Sequence, residues 1–403
     1  MASLRPLRAQ GIASSLSRNS IRSSRCTSAS KLSPASCMQV RYKSGPYGYT
    51  QAKSLVFSEY GEPKDVLKLH THSISPTLPS SSVLLRALAS PINPADVNTI
   101  QGTYGAKPTF SNLLGTAEPS VIPGNEGVFE VVSSSASDIA KGDWVIPKKT
   151  QFGTWRTHAL APADAVIKVA KQGLNPLQVG TVAVNPCSAY RMLRDYVTDP
   201  PLREGDWFLQ NGANSGVGRA AIQLGRLWGY RSINVVRARD TPEDTERLRE
   251  ELRGLGATHV VTEDEFLARE FKDRLAEWTR GSREGVRLGL NCVGGKSAQT
   301  IAKSLGTGGT MVTYGGMARQ PVALPTGLLI FKDIRRWADR DPRSKEQTVA
   351  EILELVRQGK FRDVPVVEVP WTWDTELDTL KEAVQGTLQG YRAGKGVFVF
   401  KDT

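Results

Sequence analysis

The sequence predicts an α/β protein in which a doubly wound parallel sheet adjoins a β-rich domain. Three observations carry this. The apolar run Trp207-Phe208-Leu209 leads into a turn over residues 210–218, after which Val217, Ala221, Leu224 and Trp228 recur at helical spacing, so the chain reads strand, glycine turn, helix. From there to Met317 short apolar runs alternate with helical patterns, as a parallel sheet with helical crossovers requires. Before about residue 180 the pattern differs: many short strands broken by Gly and Pro indicate a compact β-rich unit.

Taken in order, residues 52–57 read as a first strand, and 66–69 and 82–89 as further strands. Pro94 can open a short helix, and Gly102 and Gly105 bracket Tyr104 in the loop beyond it. Residues 121–132 and 141–147 continue the β-rich part, and 153–157 read as another short β element. Residues 179–193 are compatible with a helix, with Pro186 as a kink or break. After the glycine turn come a strand at 232–236, a charged helix at 243–254, a strand at 259–261, an apolar run at 288–295, a helix over 298–305 and a strand at 310–317. An amphipathic helix carrying Val349, Ile352, Leu353, Leu355 and Val356 precedes a terminal strand, 395–400, which the β-rich domain is expected to regain.

Charge narrows the function. The 403 residues carry a formal net charge of +12, which alone would fit a nucleic-acid binder. Residues 1–42 hold seven Arg or Lys and no acid, the first carboxylate being Glu59; subtracting those seven from +12 leaves +5 for the rest. The excess therefore belongs mostly to a leader, rich in Arg and Ser and free of Asp and Glu, which is the composition of a mitochondrial transit peptide. No aromatic-basic platform for nucleic acid is evident, and no stretch reaches the roughly 18 apolar residues that a membrane span needs. Two of the four cysteines, Cys26 and Cys37, lie in the leader; Cys187 and Cys292 are far apart and suit a reducing compartment. The four histidines have no ligand-like spacing with cysteine, so no zinc is expected, and His70 and His72 are expected to face solvent from a strand.

The chemistry-bearing residues gather around the glycine turn. Such a turn lets the backbone approach a diphosphate and aims N–H groups of the helix N-terminus at it. Against the G-x-G-x-x-G pattern, Ala213 and Ser215 stand at the first two glycine places and only Gly218 fills the third, so the motif by itself is a weak signal. The next strand ends in Arg237-Ala238-Arg239, where an acid would select a ribose 2′-hydroxyl; arginines favour a 2′-phosphate and hence NADPH. Tyr314-Gly315-Gly316-Met317 closes a later strand at the carboxyl end, where ligands bind in such sheets, although a plain turn would look the same. Tyr104, between glycines, is a plausible acid in a chain without a metal site or an evident nucleophile–base pair.

Several stretches together resemble the mitochondrial 2-enoyl thioester reductases, a zinc-free branch of the medium-chain dehydrogenase/reductase superfamily. They are Pro91-Ile92-Asn93-Pro94-Ala95-Asp96 with Gln101-Gly102-Thr103-Tyr104, Pro123-Gly124-Asn125-Glu126-Gly127, Val184-Asn185-Pro186-Cys187, the glycine turn from Asn211, Val236-Arg237-Ala238-Arg239, Asn291-Cys292-Val293-Gly294-Gly295, Tyr314-Gly315-Gly316-Met317 and Leu329-Ile330-Phe331-Lys332. The resemblance implies NADPH-dependent reduction of trans-2-enoyl thioesters, carried on acyl carrier protein or coenzyme A, in mitochondrial fatty acid synthesis. It implies Tyr104 as proton donor, and Asn185, Asn214, Ser215, Gly216, Val217, Arg237, Ala238, Arg239, Tyr314, Gly315, Gly316, Met317 and Lys395 at the cofactor. It implies a homodimer in the mitochondrial matrix, built from a GroES-like catalytic domain (residues 43–180, completed by about 345–403) and an NADPH-binding Rossmann domain (181–344) behind the leader 1–42. The chain departs from the family in two places. Ala238 replaces an acid between the arginines, and a Gly-Phe-Trp stretch that in the family lines the cofactor pocket and supports the dimer is missing between Asp333 and Trp337. The competing readings are an NADPH-dependent quinone or alkenal reductase of the same superfamily and a non-catalytic NADPH-binding protein.

Overall fold

Alternating burial pairs β1 (Thr50–Val56) with β2 (Lys68–Ile74) as an antiparallel ribbon. Between them α1 (Pro63–Val66) replaces the expected start of a strand at Val66: Pro63 presets the helical φ, and Leu67 N–H closes the turn on Pro63 O at 3.1 Å. β3 (Ser82–Pro91) is the spine of a second sheet and leads into α2 (Pro94–Ile100). That sheet continues through β4 (Val128–Ser134), β5 (Trp144–Pro147), β6 (His158–Pro162) and β7 (Val166–Val169). Residues 153–157 make no ladder. They touch β1 through one isolated bridge, Ser54 to Arg156, because Trp155 is wholly buried and its backbone bonds to two separate segments, at Leu55 and Pro123.

α3 (Pro176–Gly180) and α4 (Asn185–Asp195) take the place of one long helix, with Pro186 in the first turn of α4, where its missing N–H is tolerated. The parallel sheet follows: β8 (Trp207–Gln210), α5 (Gly216–Leu227), β9 (Arg231–Val236), α6 (Pro242–Leu255), β10 (His259–Thr262), α7 (Glu263–Leu267), α8 (Phe271–Trp278), β11 (Val286–Asn291), α9 (Gly295–Ser304), β12 (Leu305–Thr313) and β13 (Ile334–Arg336). Its order is β10-β9-β8-β11-β12-β13, every pair parallel, with the switch point at β8. α9 begins three residues earlier than the periodicity predicts, and Leu305 already belongs to β12. After α10 (Pro342–Arg357) the chain returns to the antiparallel sheet with β14 (Val366–Trp371), α11 (Leu377–Gln385) and β15 (Lys395–Phe400); β15 lies between β14 and β3.

This structure is a computed structural model and describes residues 46–198, 200–282, 285–323, 334–336, 342–388 and 394–403. The basic leader and the stretch with Leu329, Ile330, Phe331, Lys332, Asp333 and Trp337 lie outside the described residues. All described residues belong to one compact unit. One core cluster runs across both sheets: Ala89, Val128 and Val397 from the seven-stranded sheet share it with Val179, Met192 and Leu193 of α3 and α4, with Leu224 of α5, and with Phe208 and Leu288 of the parallel sheet. At about 1.5–3 kcal/mol for each fully buried large apolar side chain, this shared core is what sets one sheet against the other. A second cluster, around Trp155, Trp371 and Phe398, packs against the seven-stranded sheet, which is antiparallel except for the parallel pair β14 and β15. His70 and His72 face solvent only in part: both are half-buried and stacked, ring centroids 5.7 Å apart, and His70 Nε2 lies 2.8 Å from Leu114 O.

Candidate functional site

The site is built at the carboxyl ends of the parallel strands. Ser215 caps α5, its Oγ accepting the Gly218 N–H at 3.1 Å. The N–H groups of Gly216 and Val217, in the first turn, have no intrahelical acceptor and are open to an anion. Gly218 is required by space: a Cβ there would stand 2.4 Å from the carbonyl oxygen of Ala213. Ala213 itself is wholly buried, which explains why alanine serves at the first glycine place. Four buried carboxamides hold the strand ends together. Gln210 Nε2 donates to Asn234 Oδ1 (2.7 Å) and Gly218 O (3.0 Å), and Asn211 Nδ2 donates to Asn291 Oδ1 (2.8 Å). Periodicity gives no sign of this ladder; its signal is an amide residue at or near the end of the apolar strands β8, β9 and β11, which become neighbours only in the sheet.

Tyr314 to Met317 follow β12 and fold against the turn. Gly315 lies 3.3 Å, by its would-be Cβ, from Cys292, and Met317 N–H donates to Cys292 O at 2.8 Å. Tyr314 Oη is buried beside the Cys292 thiol and the Ser215 hydroxyl without a hydrogen bond of ordinary geometry, and burial pushes the phenol well above its usual pKa. A glycine cradle that a Cβ would fill, free first-turn N–H groups and an unsatisfied buried hydroxyl fit a phosphorylated dinucleotide. One strand away, Arg237 is exposed and Arg239 half-buried just beyond β9. Arg239 N–H donates to Thr245 Oγ1 at 2.8 Å, and a cavity of about 410 Å³ opens there, lined by Ala238, Arg239, Asp240, Pro242, Thr245, Glu246 and Arg249.

The other half of the site is a buried polar network between the sheets. Asp96 Oδ2 accepts Asn93 N–H (2.8 Å), and its Oδ1 accepts the N–H and Nδ2 of Asn125 (3.0 and 2.7 Å). Burial pushes the Asp96 carboxyl up to about 6, against the pull of those hydrogen bonds. Glu126 receives Asn93 Nδ2, Val184 N–H and Lys395 Nζ. Asn185 Nδ2 reaches Asn93 Oδ1 at 3.5 Å and lies against Gly216, 2.6 Å from where a Cβ would be. Of the residues singled out in the sequence, Asn185 thus meets the glycine turn directly, and Lys395 joins it through Glu126 and Asn93. Neither Glu126 nor Asp96 had been assigned a role.

Tyr104 is 42% exposed in the loop that leaves α2. Its N–H and that of Thr103 both donate to Asn98 O, at 3.1 and 2.9 Å, which fixes the loop to the end of the helix that Asn93 opens. Gly102, at φ +71°, packs its Cα side on the Tyr60 ring, where a Cβ would come within 2.8 Å. Among the described residues no three His, Cys, Asp or Glu side chains gather as a metal site, and no helix is long and apolar enough to cross a membrane.

Comparison with known proteins agrees with this geometry. Residues 216–358 match the family described as zinc-binding dehydrogenase. The chain is 48% identical over 322 residues to the mitochondrial enoyl-acyl-carrier-protein reductase of Yarrowia lipolytica, covering 78% of this chain and 82% of that protein. A solved complex of Etr1p with NADP and crotonyl-CoA superposes with a TM-score of 0.80 at 38% identity, over 87% of this chain and 99% of that one. The Etr1p/Etr2p heterodimer of Candida tropicalis, a mitochondrial 2-enoyl thioester reductase, superposes equally well, TM-score 0.80 at 38% identity, with the same coverage.

Proposed function

Because this chain belongs to the mitochondrial enoyl-acyl-carrier-protein reductases, we infer that it reduces trans-2-enoyl thioesters to saturated acyl thioesters with NADPH, as a homodimer in the mitochondrial matrix. The thioester is carried on acyl carrier protein or coenzyme A. Residues 1–42 are the targeting leader, 43–180 with 345–403 the GroES-like catalytic domain, and 181–344 the Rossmann domain. The observation that carries the cofactor reading is the Ser215-capped glycine turn with the Tyr314 hydroxyl beside it.

When bound, NADPH supplies the hydride that saturates the β-carbon of the conjugated thioester. The first-turn N–H groups of Gly216 and Val217, with Asn214 and Ser215, hold its diphosphate. Arg237 and Arg239, with the Ala238 backbone between them, hold the 2′-phosphate by charge-assisted bonds. Asn185, Lys395 and Tyr314 to Met317 orient its reacting end. As charge develops on the thioester oxygen, donors aimed at that oxygen lower the barrier, and Tyr104 gives a proton to the α-carbon. Tyr104 is exposed to solvent, from which its proton is replenished.

The test is a spectrophotometric assay of NADPH consumption with crotonyl-CoA and, in parallel, a quinone. Preferential turnover of the enoyl thioester is expected; preference for the quinone would overturn the substrate assignment. Tyr104→Phe should retain NADPH binding and lose most turnover. Unchanged turnover would remove Tyr104 from the chemistry.

A further inference from the structure

We propose that Glu126 is a positioning residue, whose carboxylate holds the Lys395 ammonium, the first turn of α4 and the start of α2 in one arrangement around the reacting end of the cofactor. This rests on the reading above that Asn185 and Lys395 face NADPH.

Glu126 is completely buried, and the Lys395 side chain is 11% exposed. Glu126 Oε1 accepts Val184 N–H at 2.8 Å; Oε2 accepts Asn93 Nδ2 at 3.0 Å and Lys395 Nζ at 3.1 Å. The three donors come from segments 33, 58 and 269 residues away in sequence, so no local structure brings them together. Val184 is the residue before α4, an eleven-residue helix, and a carboxylate on its N–H also meets the positive end of the helix dipole. The next residue, Asn185, is the one that touches Gly216 of the dinucleotide turn. Asn93 opens α2, which ends at the Tyr104 loop. A shift of Glu126 therefore moves the groups assigned to the nicotinamide end and to the proton donor together.

Stability alone does not account for the pair. Desolvating a carboxylate and an ammonium costs about what their attraction returns, and apolar side chains of similar volume would fill the space as well. What the charge adds is a fixed position for the ammonium. The neighbouring carboxyl, Asp96, is engaged instead with three N–H groups of Asn93 and Asn125.

Glu126→Gln keeps the volume and an acceptor for Val184 but removes the charge and turns N–H donors toward Asn93 and Lys395. With crotonyl-CoA we expect kcat to fall about 10–100-fold, the range for a misplacement of roughly 1 Å, with a thioester KM changed far less. Glu126→Asp, which keeps the charge one methylene short, should recover part of the loss. The effects of Glu126→Gln and Lys395→Met should not add: the double variant should be no slower than Lys395→Met alone. If Glu126→Gln does not fold, the double variant, which strands no ammonium, supplies the same comparison. A folded Glu126→Gln at the unsubstituted rate, or fully additive losses, overturns the proposal. Failure of the unsubstituted protein to bind NADPH would instead overturn the cofactor reading, and this inference with it.

Discussion

Replacing Gly218 by alanine tests the glycine turn at its tightest point. In a helix alanine is favoured over glycine by roughly 0.5–1 kcal/mol. At Gly218 the new Cβ would lie 2.4 Å from the Ala213 oxygen and 2.6 Å from both its carbonyl and α carbons, all backbone atoms that cannot rotate aside. Relieving such overpacking costs about 1–3 kcal/mol, so the clash wins and a net loss of about 0.5–2 kcal/mol is expected. Gly254, exposed in the last turn of α6 with nothing within 4 Å of its would-be Cβ, is the internal control. Gly254→Ala should gain up to about 1 kcal/mol. Urea unfolding followed by circular dichroism measures both. Because the strain falls on the segment proposed to hold the diphosphate, NADPH titrated by fluorescence should bind Gly218→Ala about tenfold more weakly, equivalent to about 1.4 kcal/mol. If Gly218→Ala matches Gly254→Ala in stability and keeps the unsubstituted affinity, the close-packed turn is not what holds the cofactor.

Arg239→Ala should weaken NADPH about tenfold or more while leaving NADH little changed, as expected for one lost charge-assisted bond of about 1.5–3 kcal/mol; a titration of each nucleotide checks it. Ser215→Ala should cost about 1 kcal/mol in urea unfolding through the lost cap on α5. Burial lowers the His158 pKa to about 4, so between 6.5 and 4 the unfolded chain takes up the proton that the folded chain refuses. Stability is therefore whole above pH 6.5 and falls as pH drops toward 4, by about 3 kcal/mol at most for His158. Asp96, raised to about 6, works in the opposite direction over part of that range. The readout is accordingly the Tm difference between the unsubstituted protein and His158→Leu from pH 7 to 4; a difference independent of pH would contradict the assignment.

Local chemistry made much of this legible before any coordinates. The period-3.6 pattern after Trp207-Phe208-Leu209, the glycine turn and the arginine pair one strand later are all encoded within about one strand–helix unit. Sequence therefore determined the parallel sheet, the strand–turn–helix unit at its switch point and the arginine pair beyond the next strand. Periodicity failed where backbone partners, not side-chain alternation, decide conformation. Val66 completes a turn begun by Pro63, and residues 153–157 are held by a buried tryptophan and scattered carbonyls, not by a ladder.

Tertiary structure alone decided who meets whom across the seam. The contact of half-buried His70 with Leu114 depends on a distant loop, and the carboxamide ladder depends on which strands become neighbours. Most of all, Glu126 and Lys395 are 269 residues apart, and β15 had to insert beside β3 before either could matter to the other. The physical reason is range: turns, caps and helical faces are set by residues a few positions apart, whereas the cost of burying a charge is met only by the partners that the completed fold delivers.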